Sequence, residues 1–519
     1  MSVEVGDRAG TREWLGLTVL LLPTALLFVA QTVLFLATPH IAADLKPSSD
    51  QLLWINDVYG FAMAGLLVAM GTIGDRIGRR KVLLFGAIVF GVGSVVAAFA
   101  PNIGLLIAAR ALMGVGAAAV MPSTLSLVPN MFRDPRQRAT AVGMWAASVS
   151  VGVAVGPLLG GLLLEAFWWG AALLIGVPVM ALVIILAPVL VPEYKAPDAS
   201  GQRMPDMLSV LLSMLALMPF VYGIKEYAKT GLTATAIIAT VVGIVFGVIF
   251  VRRQLSLDTP LLDMRLFRNR SFSGALGVWL LSAIALGGIY LLFTQYLQQV
   301  AGLSPLAAGL WILPAALMLV VVSTVSPMVA RKVRPAYVVA IGALFSLAGY
   351  VVLTQVESVG GLPLLIVGFY LLYPGIAPTM ALTTELVMAA TPPEKQGAAS
   401  AVSSTSIDLG VSLGIALMGS IGTAVYHATV PTDLPAQATD SLSGALNEAS
   451  TMTGDAAASL IATAREAFTS GLNVAGVVAA VLVGGAGLLA LTLLRHVPPA
   501  KLPAPAAEPE TDDAATMSA

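Results

Sequence analysis

The sequence predicts an all-α polytopic membrane protein of fourteen transmembrane helices, and three observations carry that prediction. Hydrophobic residues make up 58% of 519 and charged residues only 11%, against roughly 25% charged in a soluble chain. Fourteen apolar runs bounded by charge or turn residues divide the chain, each about long enough to cross a hydrocarbon layer of about 30 Å at 1.5 Å per residue. Lysine and arginine gather in alternate loops, which is how a polytopic chain records its orientation.

The same composition bounds the chemistry. There is no cysteine, so disulfides, thiol catalysis and thiolate metal sites are absent. His40, His427 and His496 lie far apart near predicted helix ends or in loops, and predict no metal site. A net charge of −1 leaves no basic domain for nucleic acid. No cofactor and no enzymatic activity are expected.

The helices are expected at about 17–39, 51–70, 82–100, 103–127, 139–164, 168–191, 206–226, 232–251, 273–297, 305–328, 336–355, 361–386, 397–425 and 470–494. Helix 1 follows a charged start without a small-residue cleavage site, so it reads as a retained span and not a signal peptide. Between helices 2 and 3 lies GTIGDRIGRRKVLL at 71–84, with Asp75, Arg76, Arg79, Arg80 and Lys81 in a tight loop at one membrane face. Gly71, Gly74 and Gly78 permit close approach and sharp reversal, and one acid among four bases can tie the loop to neighbouring helix ends. This is the pattern of a gating loop. A cluster that only anchored topology would need neither the acid nor the glycine spacing.

Charge inside hydrocarbon is expensive and needs a reason. Asp57 lies about 9 Å into helix 2, and Arg110 about 10 Å into helix 4 from the same side. A protonatable Asp with an Arg in reach could take up a proton, release the Arg and shift local packing, as proton coupling requires. A fixed ion pair that only orients the two helices is the alternative, as is no contact at all.

Helix 5 carries GVAVGPLLGG at 152–161, where Gly152, Gly156, Gly160 and Gly161 give small-residue spacing and Pro157 removes a backbone donor. Such a helix can rock tightly against a partner. Helix 13 repeats the idea at 408–423, with Gly410, Gly414, Gly419 and Gly422, and the recurrence suggests two related bundles facing one another. Asp408, about 16 Å into helix 13, is the deepest acid and a candidate contact for a proton or cation. The shallower Glu165, Glu226 and Glu385 read first as interfacial caps or anchors. Trp54, Tyr59, Trp145, Tyr290, Gln295, Trp311, Tyr370 and Tyr373, with Glu385 beside them, could line an aromatic cavity for flat organic cations; any one of them could equally face lipid or pack.

The loops after helices 2, 4, 6, 8, 10 and 12 hold most of the bases, including Arg133, Arg203 and Lys395, whereas the opposite loops hold little more than Lys46, Lys229 and Arg465. The base-rich face is therefore expected to be cytoplasmic, with both termini inside a cell membrane. Residues 426–469 form the one long external loop, with Asp433, Asp440, Glu448, Asp455 and Glu466 against Arg465. It reads as a surface cover or a gating element and could hold a short amphipathic segment near 441–466. The tail at 496–519 is Pro/Ala-rich and acidic, hence expected to be disordered.

Taken together these segments resemble the major facilitator superfamily, and within it the fourteen-helix drug/proton antiporters of the quaternary-ammonium efflux type. The loop at 71–84 resembles the family's loop between helices 2 and 3. LIAARALMGVGAAAVMPSTLSL at 106–127 is similar to its helix 4 motif, with Arg110 in the position linked to proton transfer. GVAVGPLLGG resembles the antiporter motif, LLWINDVYGFAMAG at 52–65 the helix 2 segment carrying Asp57, and TVLFLATP at 32–39 the end of the helix 1 motif.

The resemblance covers about residues 12–495. It implies a major facilitator fold of two six-helix bundles, in domains 1–191 and 273–495, with helices 7 and 8 inserted at 192–272. It also implies a monomer that exports amphipathic, cationic drugs, dyes and quaternary ammonium compounds in exchange for protons. Small-molecule substrates, protons and membrane lipid would be its partners. A transporter of another solute class, such as a lipid, sugar or metabolite, and a non-transporting sensor or scaffold are the alternatives. Two departures matter: Ala30 stands where the family's helix 1 acid belongs, and Ser403 and Ser404 stand where acids often precede the helix 13 Asp.

Overall fold

Short polar breaks between long apolar runs leave the chain one way to satisfy its backbone in hydrocarbon, as helices, and the computed structural model shows them. It describes residues 9–132, 134–195, 206–257, 260, 264–389, 396–431 and 434–498. Arg133, Arg203, Lys395, Asp433 and the tail from residue 499 lie outside the described residues, as does the side chain of Asp408.

The helices are α1 (Thr11–Leu45), α2 (Ser49–Ile77), α3 (Arg79–Ala98), α4 (Ile103–Met131), α5 (Pro135–Ala166), α6 (Trp169–Leu174 and Gly176–Leu190) and α7 (Met207–Thr230). They continue as α8 (Ala234–Ser256), α9 (Arg270–Gln295, prolonged by a π turn over Tyr296–Val300), α10 (Pro305–Ala330) and α11 (Pro335–Leu353). Last come α12 (Leu362–Gly375 and Ala377–Ala389), α13 (Gln396–Thr429) and α14 (Asp455–Leu493). Thirteen spans pass singly as membrane-length apolar helices, and α2, bent by 49° between Ser49–Leu67 and Ala69–Ile77, makes the fourteenth. All fourteen expected helices are therefore present, and among the described residues there is no strand.

The breaks have local causes. Pro178 supplies no N–H to the carbonyl of Leu174, where α6 divides, and Pro378 likewise supplies none to the carbonyl of Pro374, where α12 divides at Ile376. The expected long loop at 426–469 is largely helical instead: α13 runs on to Thr429, short helices occupy Ala436–Asp440 and Leu442–Ala449, and α14 begins at Asp455, well before the expected 470. The charged pair Arg465 and Glu466 concealed that start, because a helix projecting beyond the membrane no longer needs an apolar face all round.

Close approaches at small residues set the packing. Within the first six helices, α1 lies on α5 and α2 on α4, where a Cβ on Gly114 would come 2.5 Å from the Tyr59 carbonyl oxygen. Within the last six, α9 lies on α13, where a Cβ on Gly414 would come 2.1 Å from the Ile284 carbonyl oxygen. The inserted α7 and α8 form an antiparallel pair, and α7 touches both α2 and α13.

Candidate functional site

The base-rich loop is a clamp. Gly78 reverses the chain with φ +122°, a region that favours glycine, and a Cβ there would stand 2.6 Å from the Glu193 carboxyl carbon. The reversal puts Arg79 one turn beyond Asp75, whose Oδ1 accepts from Arg79 Nε at 2.8 Å and meets Nη2 at 2.6 Å. Arg79 is 8% exposed, and its Nη1 reaches the Pro122 carbonyl of α4 at 3.4 Å. Arg80 turns the other way, donating to the carbonyls of Pro188 and Val191 at the end of α6. Arg76 is exposed.

Glu193 completes this clamp and escaped the sequence reading. Its Oε1 accepts the backbone N–H of Arg80 at 2.9 Å and of Tyr194 at 3.1 Å, while the Tyr194 carbonyl accepts from the Arg79 N–H at 2.9 Å. The available signal was a lone acid after helix 6 on the face where bases collect. Charge-assisted contacts of this kind join α2, α3, α4 and α6 at one face.

Deeper in, Asp57 of α2 and Arg110 of α4 are both fully buried. Arg110 does not hydrogen-bond to Asp57. Its Nε donates to the Ile55 carbonyl at 3.3 Å, its guanidinium stands 4.6 Å from the centroid of the Tyr59 ring, and its two terminal nitrogens hold no hydrogen bond. Ile55 and Tyr59 flank Asp57 by two positions each way, about 200° round the helix, so Asp57 falls on the α2 face of Leu53 and Phe61, which meet Gly419 and Ala416 of α13. Asp408 lies on α13, with its side chain outside the described residues.

The α5 glycines divide between two partners. A Cβ on Gly152 would come 2.3 Å from the Ala25 carbonyl oxygen, and those on Gly156 and Gly160 would meet Thr32 and Val33, all on α1. Gly161 instead faces α10, where a Cβ would stand 2.7 Å from Leu306 Cα, and the Pro157 carbonyl lies against Gly309 of the same helix. The motif thus locks α5 into its own half and lets it touch the other.

The aromatic and polar residues expected to share a cavity do not gather in one place. Trp54 packs among α2, α7 and α13, and Tyr59 lies beneath Arg110. Trp145 donates to Thr124, which also receives Thr24, linking α1, α4 and α5. Tyr370 donates to the carbonyl of the exposed Trp311, and Glu385 is exposed. Tyr290 and Tyr373 join Phe369 and Phe293 in a stacked series that reaches Phe35 of α1, the Phe35 and Tyr290 rings being 5.2 Å apart. Gln295 lines a separate recess with Gln299, Tyr426 and Asp440.

That recess lies toward the face opposite the base-rich loops, where the two halves are tied together. Asp440 accepts from the Ser49 N–H at 2.8 Å, Gln298 donates to the Leu36 carbonyl at 3.1 Å, and Asn447 donates to the Ala42 carbonyl at 3.1 Å. Glu165 accepts from Ser304 at 3.4 Å, joining α5 to the start of α10. Among the described residues no cluster of acids and histidines suited to a metal is found.

The Major Facilitator Superfamily profile matches residues 20–415. The multidrug efflux pump LfrA of Mycolicibacterium smegmatis is 41% identical over 484 residues, 92% of this chain and 95% of that protein. The methyl viologen resistance protein SmvA of Salmonella typhimurium is 34% identical over 461 residues, 84% and 88% of the two chains. The puromycin resistance protein pur8 of Streptomyces alboniger is 32% identical over 431 residues, 81% and 85%. Among solved structures, a bacterial homolog of the human lysosomal transporter Spinster, inward-facing and occupied, superposes with a TM-score of 0.63 at 16% identity, covering 93% of this chain and 98% of that one. At such identity the likeness shows the fold alone.

Proposed function

This chain belongs to the major facilitator superfamily, a multi-pass membrane transporter of small molecules and not an enzyme, and on that footing we propose that it exports amphipathic cationic drugs in exchange for protons. The observation that carries the reading is a carboxylate and a guanidinium, Asp57 and Arg110, each fully buried within membrane-length helices that pack on one another. Asp57 is the proton carrier in this proposal. Protonation removes a buried charge from the segment of α2 whose Ile55 and Tyr59 anchor Arg110, and α2 then shifts against α4. Asp408 supplies a second titratable or cation-reading group from the other half.

The two halves, 1–191 and 273–495, act as rocking bundles in this reading, and the base-rich face is cytoplasmic with both termini inside. The clamp of Asp75, Arg79, Arg80 and Glu193 holds the cytoplasmic ends of one bundle as a unit. The ties at Ser49, Leu36 and Ala42 hold the external face closed in the conformation described. The names of the relatives, a multidrug efflux pump and a methyl viologen resistance protein among them, support a cationic substrate. The test is reconstituted protein in liposomes under an imposed pH gradient, with methyl viologen and a quaternary ammonium dye set against neutral and anionic solutes. Uptake into the acidic lumen of the cations alone is expected; gradient-independent movement would remove proton coupling.

One observation favours a second reading. Ala30, where related exporters carry a helix 1 acid, is 2% exposed and sits on α1 close to the α5 glycine contacts. With that acid missing, a neutral or weakly charged solute is the alternative cargo, and the same panel separates the two.

A further inference from the structure

The inserted pair α7–α8 has no part in the reading above, yet its contacts are specific. A Cβ on Gly65 of α2 would stand 2.0 Å from Met214 Cε and 3.0 Å from its sulfur, so the end of the Met214 side chain fills the notch that this glycine opens. One helical turn and more beyond, Phe61 of α2, Val221 of α7 and Ala416 of α13 are buried together in a small apolar core of their own, with Met218, Leu409 and Leu413 packed around it. Toward the external face α2 and α13 meet directly, where a Cβ on Gly419 would come 2.3 Å from Leu53 Cδ2. Below that point α7 occupies the seam between them.

The pair is also braced from outside. Asp206, ahead of α7, accepts from Arg253 Nε at 2.5 Å and Nη2 at 3.1 Å and from Ser209, which in turn receives Gln254. Gly223 and Gly243 let α8 lie against α7, while Ile238, Val241, Ile244 and Val245 of α8 are each about half exposed or more. Helix α8 thus faces lipid and backs α7 against the seam.

We propose that α7 is a travelling seal: it stays docked on α2 through Met214 in the Gly65 notch and slides over α13 as the bundles rock, keeping the α2–α13 seam closed to lipid. The inference rests on the transport reading, since α2 and α13 belong to different bundles. A helix bonded firmly to both would stop their motion, and one bonded to neither would leave the seam open. The notch supplies a keyed contact on one side. Among the described residues, the other side presents the aliphatic Leu409, Leu413 and Ala416, contacts that slide without a directional bond to break. Methionine suits the keyed side, because its unbranched thioether adapts as the helices tilt.

The absence of cysteine makes the test clean. Gly65→Cys with Met214→Cys, and separately Val221→Cys with Ala416→Cys, are bridged by a short bis-methanethiosulfonate in proteoliposomes. The α2–α7 bridge is expected to leave pH-driven dye transport within about twofold of the unbridged protein, and the α7–α13 bridge to lower it about tenfold, reversibly with dithiothreitol. The opposite order, arrest by both bridges, or indifference to both overturns the proposal. A second measurement needs no substrate: N-pyrenylmaleimide, reaching thiols from the bilayer, should label Leu413→Cys about tenfold more slowly than the lipid-facing Val245→Cys. Equal labelling overturns the seal. If the parent protein moves no cationic dye, the export reading fails while the labelling still decides the seal.

Discussion

Arg110 stands over the Tyr59 ring at 4.6 Å and hydrogen-bonds the Ile55 carbonyl, so the buried cation of α4 is held by backbone and by a π face of α2. A guanidinium in a desolvated site gains about 2 kcal/mol from such a ring. Asp57 lies between those two residues in the sequence of α2 and is itself fully buried.

Tyr59→Leu should therefore lower stability by about 2 kcal/mol and cut transport sharply, whereas Tyr59→Phe, which keeps the ring, should change both little. Thermal unfolding in detergent beside dye efflux makes the comparison. Equal damage from both replacements would point to the hydroxyl, which donates to the Leu27 carbonyl at 3.4 Å.

Asp57→Asn should abolish proton-driven efflux while leaving the protein folded and inserted, because Asn keeps the volume but cannot titrate. Efflux under a pH gradient at the wild-type rate would refute the assignment.

At the base-rich clamp, Asp75→Asn and Arg79→Ala should each slow turnover severalfold with little change in dye affinity, since they hold helix ends and lie outside the recess. Glu193→Ala should act in the same direction and cost about 1–2 kcal/mol, having removed the acceptor for two backbone N–H groups. Loss of affinity at unchanged maximum rate would place these residues elsewhere in the cycle.

The α5 glycines should separate by partner. Gly152→Ala pushes α5 off α1 inside one half and should lower the melting temperature, at about 1–3 kcal/mol for overpacking against backbone. Gly161→Ala presses on Leu306 of α10, and should instead open the face opposite the base-rich loops. Faster reaction of Leu53→Cys with an impermeant thiol reagent in the Gly161→Ala background, at unchanged melting temperature, is the expected signature.

The Asp206–Arg253 contact outside the membrane carries a pH signature. Hydrogen bonding from Arg253 pulls the Asp206 carboxyl down to about 2, so its contribution is complete above the ordinary carboxylate pKa of about 3.9 and disappears as pH falls toward about 2. As a solvent-screened pair it is worth about 1 kcal/mol. Wild type should unfold later than Asp206→Asn at pH 6 and together with it near pH 2. A gap that persists in acid would show that the pair contributes through packing alone.

Fourteen apolar runs, the alternation of bases and the glycine-rich segments determined the helical membrane fold, because helix formation in hydrocarbon is a local consequence of composition that a one-dimensional reading captures. Single residues in recognisable patterns, such as Gly78 and Arg110, were legible for the same reason. What only the tertiary structure decided is who meets whom. Glu193 joins the loop at 71–84 across more than a hundred residues, and Ser49 meets Asp440 across 391. The aromatics that looked like one cavity disperse among a stacked series, a small core between α2, α7 and α13, and a cation site. Met214 found its notch in Gly65 through the packing of an inserted helix. Each of these depends on the rotation and depth at which two helices dock, and many residues far apart in the chain set those quantities jointly, so no local pattern records them.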